Sequence, residues 1–125
     1  VILDPTTADP LYRRSTRVSL GHVLRVPFAR VDREAWPTVL ADLAVDGFEL
    51  LALTPSLDAV PLRSVVEQGA DRMAVLVGAE GPGLSVAAMT AATHRIRIPM
   101  TEGTDSVNVA TAAAIALAAL YERHS

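Results

Sequence analysis

A glycine-rich segment in the second half of the chain contains the residues best suited to chemistry. It reads Gly78-Ala-Glu80-Gly81-Pro82-Gly83 and follows an apolar run at residues 73–77. Glycine has no Cβ, so such a loop adopts positive φ angles and its main chain approaches a ligand closely. Main-chain N–H and C=O groups presented in this way can recognise an adenine edge. Taken alone, the loop is explained equally well as a structural turn.

A second segment with polar side chains lies closer to the C-terminus. It begins with Ile-Pro-Met at residues 98–100 and reaches Ser-Val-Asn at residues 106–108, ahead of an Ala-rich stretch. The glycine-rich loop lacks the Gly-Lys-Ser/Thr ending of a phosphate-binding P-loop and the spacing of the dinucleotide fingerprint. The combination of the two segments, rather than the loop alone, therefore indicates a ligand site.

Residues 78–84 and 98–109 together resemble the second and third signature motifs of the SpoU/TrmH family of RNA 2'-O-ribose methyltransferases, which have the SPOUT fold. The resemblance implies S-adenosylmethionine as cofactor, tRNA or rRNA as substrate, a C-terminal trefoil knot and a homodimer. Such a methyl transfer needs no metal, because the sulfonium already makes the methyl group electrophilic. The protein must align a ribose 2'-hydroxyl and take up its proton.

The resemblance also assigns roles to particular residues of the two motifs. It implies cofactor contacts mainly through backbone atoms and apolar side chains, and we expect the end of the preceding strand, Leu53 and Thr54, to add further walls. The expected cofactor-binding residues are Leu53, Thr54, Gly78, Gly83, Ile98, Met100 and Val107.

Three polar residues match the family's active-site positions, namely Glu80, Ser106 and Asn108. We expect Ser106 and Asn108 to orient loops or the target nucleotide, and Glu80 to anchor a basic partner through a charge-assisted hydrogen bond. Helix capping is the alternative role of Ser106 and Asn108, since both residue types are preferred before a helix. The two roles are compatible with each other.

The basic residues are unevenly distributed. All eleven are Arg, and six lie in the first 33 residues against three acids, although the net charge of the chain is −3. The overall charge disfavours nucleic acid as a partner, but Arg13, Arg14 and Arg17 form a cluster suited to bidentate phosphate contacts. A solvated charged loop is the alternative. Residues 17–21, Arg-Val-Ser-Leu-Gly, resemble the family's Arg-x-Ser-x-Gly stretch, which implies RNA as the ligand of the cluster.

Several other functions are disfavoured by composition. The chain has no Cys, and His22, His94 and His124 are scattered, so we expect no metal site. Ser85 lacks the second glycine of a hydrolase nucleophile elbow. The sequence has neither an apolar run long enough for a membrane span nor a signal pattern, and we expect a cytoplasmic protein without membrane contact.

The pattern of apolar residues predicts an α/β fold in a single domain. Half of the residues are hydrophobic but only 4% are aromatic, so the core must be built from Ala, Val, Leu and Ile. Strands alternate with helices, which predicts a parallel sheet with helices on both faces. The predicted strands are residues 1–4, 25–31, 49–54, 73–77 and 94–98, and the predicted helices are residues 33–45, 84–92 and 107–122.

The sequence departs from the family pattern in one respect. Family members have a first motif, an Asn-x-Gly segment ending in Arg, just before the strand that corresponds to residues 1–4, and this sequence has no such segment. We therefore expect residues 1–125 to form a SpoU-type methyltransferase domain that lacks its first strand, helix and motif, as a truncated form of a longer enzyme. The alternative function is that of a dimerising module that binds an adenosine-containing ligand or RNA without catalysis.

Overall fold

The computed structural model of the protein describes residues 1–104 and 107–123. Ser106 and His124 therefore lie outside the described residues. The chain divides into two compact units, Val1–Val39 and Leu40–Ser125. Both contain parallel strands, as the alternation of strands and helices predicted, but the strands form two sheets and not the single sheet expected.

The N-terminal unit contains two very short strands and two short helical segments. Strand β1 (Ile2–Leu3) pairs in parallel with β2 (Ala29–Arg30). Helix α1 (Arg13–Val18) is followed by a 3-10 helix (His22–Leu24). Helix α2 (Trp36–Val45) begins at the end of this unit. The basic cluster thus lies on a helix and not in the loop that the sequence also allowed.

Polar contacts fix the loop that follows β1. The Asp4 carboxylate accepts hydrogen bonds from the Thr6 N–H (2.8 Å) and from the hydroxyls of Thr6 (2.8 Å) and Thr7 (3.0 Å). Partial burial alone would raise the pKa of Asp4, but the hydrogen bonds from Thr6 and Thr7 together outweigh it and hold the pKa below its ordinary value. Arg30 donates to the carbonyls of Thr7 (2.7 Å) and Asp4 (3.3 Å). These hydrogen bonds of Arg30 therefore stabilise the loop that follows β1.

The C-terminal unit is built on a four-stranded parallel sheet. Its strands are β3 (Glu49–Leu53), β4 (Val60–Pro61), β5 (Met73–Leu76) and β6 (His94–Arg97), in the spatial order β4-β6-β3-β5. The connecting helices are α3 (Leu62–Gln68), α4 (Val86–Ala91) and α5 (Val109–Arg123). Since all strands run in the same direction, their carboxyl ends lie at one edge of the sheet.

The core of this unit lies between the sheet and helices α3 and α5. Its buried members are Leu51, Leu62, Val65, Ile96 and Ala116. Successive side chains of a strand point to opposite faces, and Leu50 and Ala52 are as completely buried as Leu51. Both faces of β3 are therefore covered, and α4 packs against this strand.

The helices begin slightly later than the sequence predicted. Helix α2 starts at Trp36 rather than at residue 33, because residues 33–35 form a turn in which the Ala35 N–H donates to the Asp32 carbonyl (3.1 Å). Helices α4 and α5 each begin two residues later than expected, at Val86 and Val109. The end of α2 is as predicted: Gly47 has φ +86° and its N–H donates to the carbonyl of Ala44 (3.1 Å).

Candidate cofactor pocket and basic surface

A pocket of about 400 Å³ opens at the carboxyl ends of the parallel strands. This volume lies in the range of roughly 300–1,000 Å³ that small-molecule sites occupy. Three chain segments line it: the end of β3, the loop after β5, and the stretch from the end of β6 into α5. Ligands of open parallel sheets bind at this edge, because the loops there converge.

All seven residues expected to bind a cofactor line this one pocket. They are Leu53, Thr54, Gly78, Gly83, Ile98, Met100 and Val107. Sequence reasoning missed six further lining residues: Pro55, Val77, Ala79, Gly81, Val109 and Ala112. Each of them is within three residues of a predicted one except Ala112, and Ala112 lies one helical turn beyond Asn108, which is also in the lining. Helical periodicity was the signal that could have identified it.

The glycine-rich loop folds back on itself, and two of its residues have the positive φ angles that favour glycine. Gly81 has φ +87° and Gly83 has φ +72°. The Gly83 N–H donates to the carbonyl of Ala79 (3.0 Å), which closes the loop as an isolated antiparallel bridge. The main chain of the loop is therefore held in one arrangement along the pocket wall.

Gly78 is needed because a side chain would not fit there, and not for the positive φ angle that the sequence suggested. It is absent from the glycines with positive φ, but a Cβ at this position would lie 2.6 Å from the Gly83 carbonyl oxygen and closer still to the Gly83 carbonyl carbon and the Leu84 nitrogen. The main chain at residues 83–84 thus occupies the space that any side chain at residue 78 would need. Gly78 is required for the packing of the loop against itself.

The two described polar residues of the predicted active site are in direct contact. The Asn108 amide Nδ2 donates to Glu80 Oε1 (3.1 Å), and Asn108 Oδ1 accepts from the Ala110 N–H (2.9 Å) at the start of α5. Asn108 therefore caps the helix and also connects it to the glycine-rich loop, so capping and loop orientation are combined in one side chain. Ser106 lies outside the described residues.

The pocket is mainly apolar and carries one charged group. Among the described residues that line it, Glu80 alone is acidic or basic, and the other polar side chains are those of Thr54 and Asn108. The remaining lining residues are aliphatic, Met, Pro or Gly. Such a pocket is suited to a flat or apolar ligand portion held by main-chain hydrogen bonds, with one negative charge available to a cationic group.

The three Arg residues of the basic cluster lie in the N-terminal unit. Arg13, Arg14 and Arg17 border a surface depression together with Tyr12 and Val18. All five of these residues are exposed. The structure thus groups the arginines on one short helix and leaves them accessible to a ligand.

Metal-binding clusters and membrane-spanning helices are absent from residues 1–104 and 107–123. These residues include no group of three His, Cys, Asp or Glu side chains placed to hold a metal ion. None of the helices that they form is both long and apolar enough to cross a membrane.

Comparison with known sequences identifies relatives along almost the whole chain. An uncharacterized tRNA/rRNA methyltransferase of Mycobacterium bovis is 52% identical over 124 residues, which represent 98% of this chain and 41% of the relative. The 23S rRNA (adenosine(1067)-2'-O)-methyltransferase of Streptomyces azureus is 31% identical over 126 residues, or 99% of this chain and 44% of the relative. The chain thus spans about two fifths of the length of these curated relatives.

Solved structures of methyltransferases have a fold similar to that of this chain. The AdoMet-bound rRNA methyltransferase of Sinorhizobium meliloti has a TM-score of 0.81 at 28% identity and covers 97% of this chain and 44% of its own. The SpoU methyltransferase AviRb of Streptomyces viridochromogenes, in complex with AdoMet, has a TM-score of 0.79 at 25% identity and covers 98% of this chain and 49% of its own.

The family model described as the SpoU rRNA methylase family matches residues 1–118. This match includes both motifs identified in the sequence and every described residue of the pocket lining. The chain therefore belongs to the SpoU rRNA methylase family.

Proposed function

We propose that this chain binds S-adenosylmethionine and takes part in methylation of a ribose 2'-oxygen in tRNA or rRNA. The observation that carries the proposal is the pocket at the carboxyl ends of the sheet, which is lined by all seven residues expected from the family motifs. Two structural relatives were solved with AdoMet, and the Streptomyces azureus relative is named for a 2'-O-methylation of 23S rRNA.

The pocket residues divide into those that hold the cofactor and those that orient it. The main chain of residues 78–83 offers N–H and C=O groups to the adenine edge, while Leu53, Ile98 and Val107 provide apolar contact. When bound, S-adenosylmethionine supplies an electrophilic methyl group. The carboxylate of Glu80 faces this mainly apolar pocket, where a negative charge favours a cationic ligand.

The catalytic contribution of the polar residues is positional in this proposal. Asn108 connects Glu80 to the first turn of α5, and with Ser106 it orients the target nucleotide relative to the cofactor. A fixed alignment of reacting groups is itself a large catalytic factor. Arg13, Arg14 and Arg17 bind RNA phosphates, for which the planar guanidinium is well suited.

We also propose a cytoplasmic homodimer with a C-terminal trefoil knot. Seven Ala in residues 107–122 allow close backbone approach around α5, which a knotted segment needs.

The proposed dimer interface includes exposed apolar side chains of α5. Ile115 and Leu117 on this helix are 41% and 59% exposed, and burial of such side chains against a second copy is favourable. Analytical ultracentrifugation of wild-type protein and Leu117→Glu tests the dimer: the variant is expected to sediment as a monomer, and an unchanged dimer would refute this interface.

Transfer of labelled methyl groups to RNA tests the proposed activity. The chain alone, and a chimera in which it replaces the matched 124 residues of the Mycobacterium bovis relative, are incubated with methyl-labelled S-adenosylmethionine and bulk RNA. The RNA is then digested to nucleosides. We expect label in 2'-O-methylnucleosides. If the intact relative transfers methyl groups and neither the chain nor the chimera does, the chain is a non-catalytic binding module.

A further inference from the structure

Helix α1 concentrates positive charge that the described protein does not neutralise. Three of its six residues are Arg, and it contains no acidic residue. Arg13 and Arg17 are four positions apart and so share one face of the helix, an arrangement in which like charges destabilise it. Within residues 1–104 and 107–123, the side chains of Arg13, Arg14 and Arg17 make no hydrogen bond or ion pair. This concentration of charge indicates an anionic ligand.

Five other arginines, among them Arg30, Arg63 and Arg123, have side-chain hydrogen bonds within the described part of the protein. Arg30 donates to main-chain carbonyls of the loop after β1, and Arg63 pairs with Glu67 at 2.8 Å on an exposed helix face. Arg123 donates to the carbonyl of Ala70 at 2.6 Å. The α1 arginines have no such partner among the described residues, and they differ from Arg25 and Arg33, which also lack one, in being clustered on one helix.

An exposed aromatic side chain stands beside the charge. Tyr12 precedes α1, is 63% exposed and lines the same depression as the three arginines. Its apolar neighbour Val18 is 75% exposed. An aromatic ring next to arginines provides a platform on which an unpaired base stacks while phosphates contact the guanidinium groups. A base inside an A-form duplex offers no free face to such a ring.

We infer that Tyr12, Arg13, Arg14 and Arg17 form a binding site for single-stranded RNA, in which Tyr12 stacks on one base and the arginines hold flanking phosphates. This inference rests on the proposed function in taking RNA as the ligand, and it specifies an unpaired segment as the part recognised. The residues of the site all lie within the N-terminal unit.

Fluorescence anisotropy with a labelled, unstructured RNA 12-mer tests the stacking. Loss of one stacked base corresponds to about 5- to 150-fold weaker binding, so we expect a loss of that size for Tyr12→Ala and near wild-type affinity for Tyr12→Phe. The same 12-mer annealed to its complement should lose little affinity on Tyr12→Ala. Equal binding of single strand and duplex by the wild type, or an unaffected Tyr12→Ala, would overturn the inference.

The salt dependence of binding tests the phosphate contacts. Removal of one phosphate contact should reduce the slope of log K against log salt by about 0.7 for a single strand, so Arg13→Gln, Arg14→Gln and Arg17→Gln should each show this change. Arg63→Gln is the matched control, since it removes the same charge from an exposed site that is paired within the protein. An equal change of slope in Arg63→Gln would mean that only net charge matters and would refute the site.

A parallel titration separates this inference from the proposed function. S-adenosylhomocysteine affinity is measured on the same variants and should not change, because the cofactor pocket and α1 share no residue. If single-stranded RNA binds through Tyr12 but no methyl transfer occurs, the proposed activity fails and the site stands. If methyl transfer occurs while Tyr12→Ala binds and reacts as wild type, the site fails and the activity stands.

Discussion

Substitution of Gly78 by Ala is the most informative perturbation of the pocket. The added Cβ would lie 2.6 Å from the Gly83 carbonyl oxygen, whereas ordinary contact begins at 3.4 Å. The main chain on one side must therefore move by more than about 0.8 Å, because the Gly83 carbonyl carbon and the Leu84 nitrogen would lie closer still. Overpacking of this kind costs about 1–3 kcal/mol of unfolding free energy. A shift of that size also takes a main-chain hydrogen bond beyond bonding distance.

The expected effect on ligand binding follows from that displacement. Loss of about one main-chain hydrogen bond to the ligand, with some misfit of the apolar walls, amounts to roughly 1.4 kcal/mol, or tenfold weaker binding. The assay is calorimetric titration of S-adenosylhomocysteine, with thermal unfolding measured on the same samples. We expect Gly78→Ala to fold with reduced stability and to bind at least about tenfold more weakly than the wild type.

Gly47→Ala is the matched control for stability. Gly47 has φ +86° with open space around it, so an Ala there costs about 1–2 kcal/mol through its left-handed conformation alone. It follows α2 and does not line the pocket. We expect Gly47→Ala to lose comparable stability but no affinity. Wild-type affinity in Gly78→Ala, or an equal loss of affinity in both variants, would refute the role assigned to the loop.

Four further outcomes are expected. Asn108→Ala removes the helix cap, so it should lose about 0.5–2 kcal/mol of stability and abolish methyl transfer. Asn108→Asp should keep the cap and still lose activity, because its carboxylate repels Glu80. Methyl transfer by Asn108→Asp would contradict the role assigned to Asn108. Glu80→Gln should weaken binding of cationic S-adenosylmethionine by up to about fivefold relative to S-adenosylhomocysteine in calorimetry, and an equal effect on both ligands would exclude charge recognition. Arg123→Met should cost about 1–3 kcal/mol in urea unfolding, since it leaves two carbonyls unpaired, whereas the exposed Arg63→Met control should leave the stability almost unchanged. The lowered pKa of Asp4 means that the unfolded state takes up a proton at Asp4 at a higher pH than the folded state does. The free energy of unfolding, measured in urea, should therefore fall as the pH drops below the ordinary Asp value towards the folded pKa. Asp4→Asn should flatten this dependence.

The location of the pocket could be predicted because short-range patterns determine it. The loop at residues 78–83 follows strand β5 and the segment from residue 98 follows strand β6, and the carboxyl ends of parallel strands share one edge of the sheet. Every described residue predicted for the cofactor and catalytic sites borders the same pocket as a result. The cofactor and catalytic roles of these residues stay predictions.

The precise reason for Gly78 was not accessible from the sequence. A glycine before a Gly-Pro-Gly run suggests conformational freedom, and Gly81 and Gly83 do have positive φ. The requirement at Gly78 arises from the approach of Gly83 and Leu84, which depends on how the loop closes. Such a contact becomes visible only in three dimensions.

Helix α3 was missed although its pattern was present. Leu62, Val65 and Val66 have the i, i+3, i+4 spacing of an amphipathic helix, but the helix has only seven residues and a periodicity window needs about 11–18. Helix α1 has six residues and no buried face, so apolar periodicity could not reveal it. The strand order and the contact of Arg123 with Ala70, 53 residues away, depend on long-range packing.

Mapping of S-adenosylhomocysteine binding by amide chemical shifts tests the assignment of the cofactor pocket most directly. The isotopically labelled 125-residue chain is titrated and each perturbed amide is assigned. We predict saturable changes concentrated at residues 53–54, 78–83, 98–100 and 107–112, with none on α1. A folded chain that shows no saturable change, or changes centred elsewhere, would contradict the assignment of this pocket as the cofactor site.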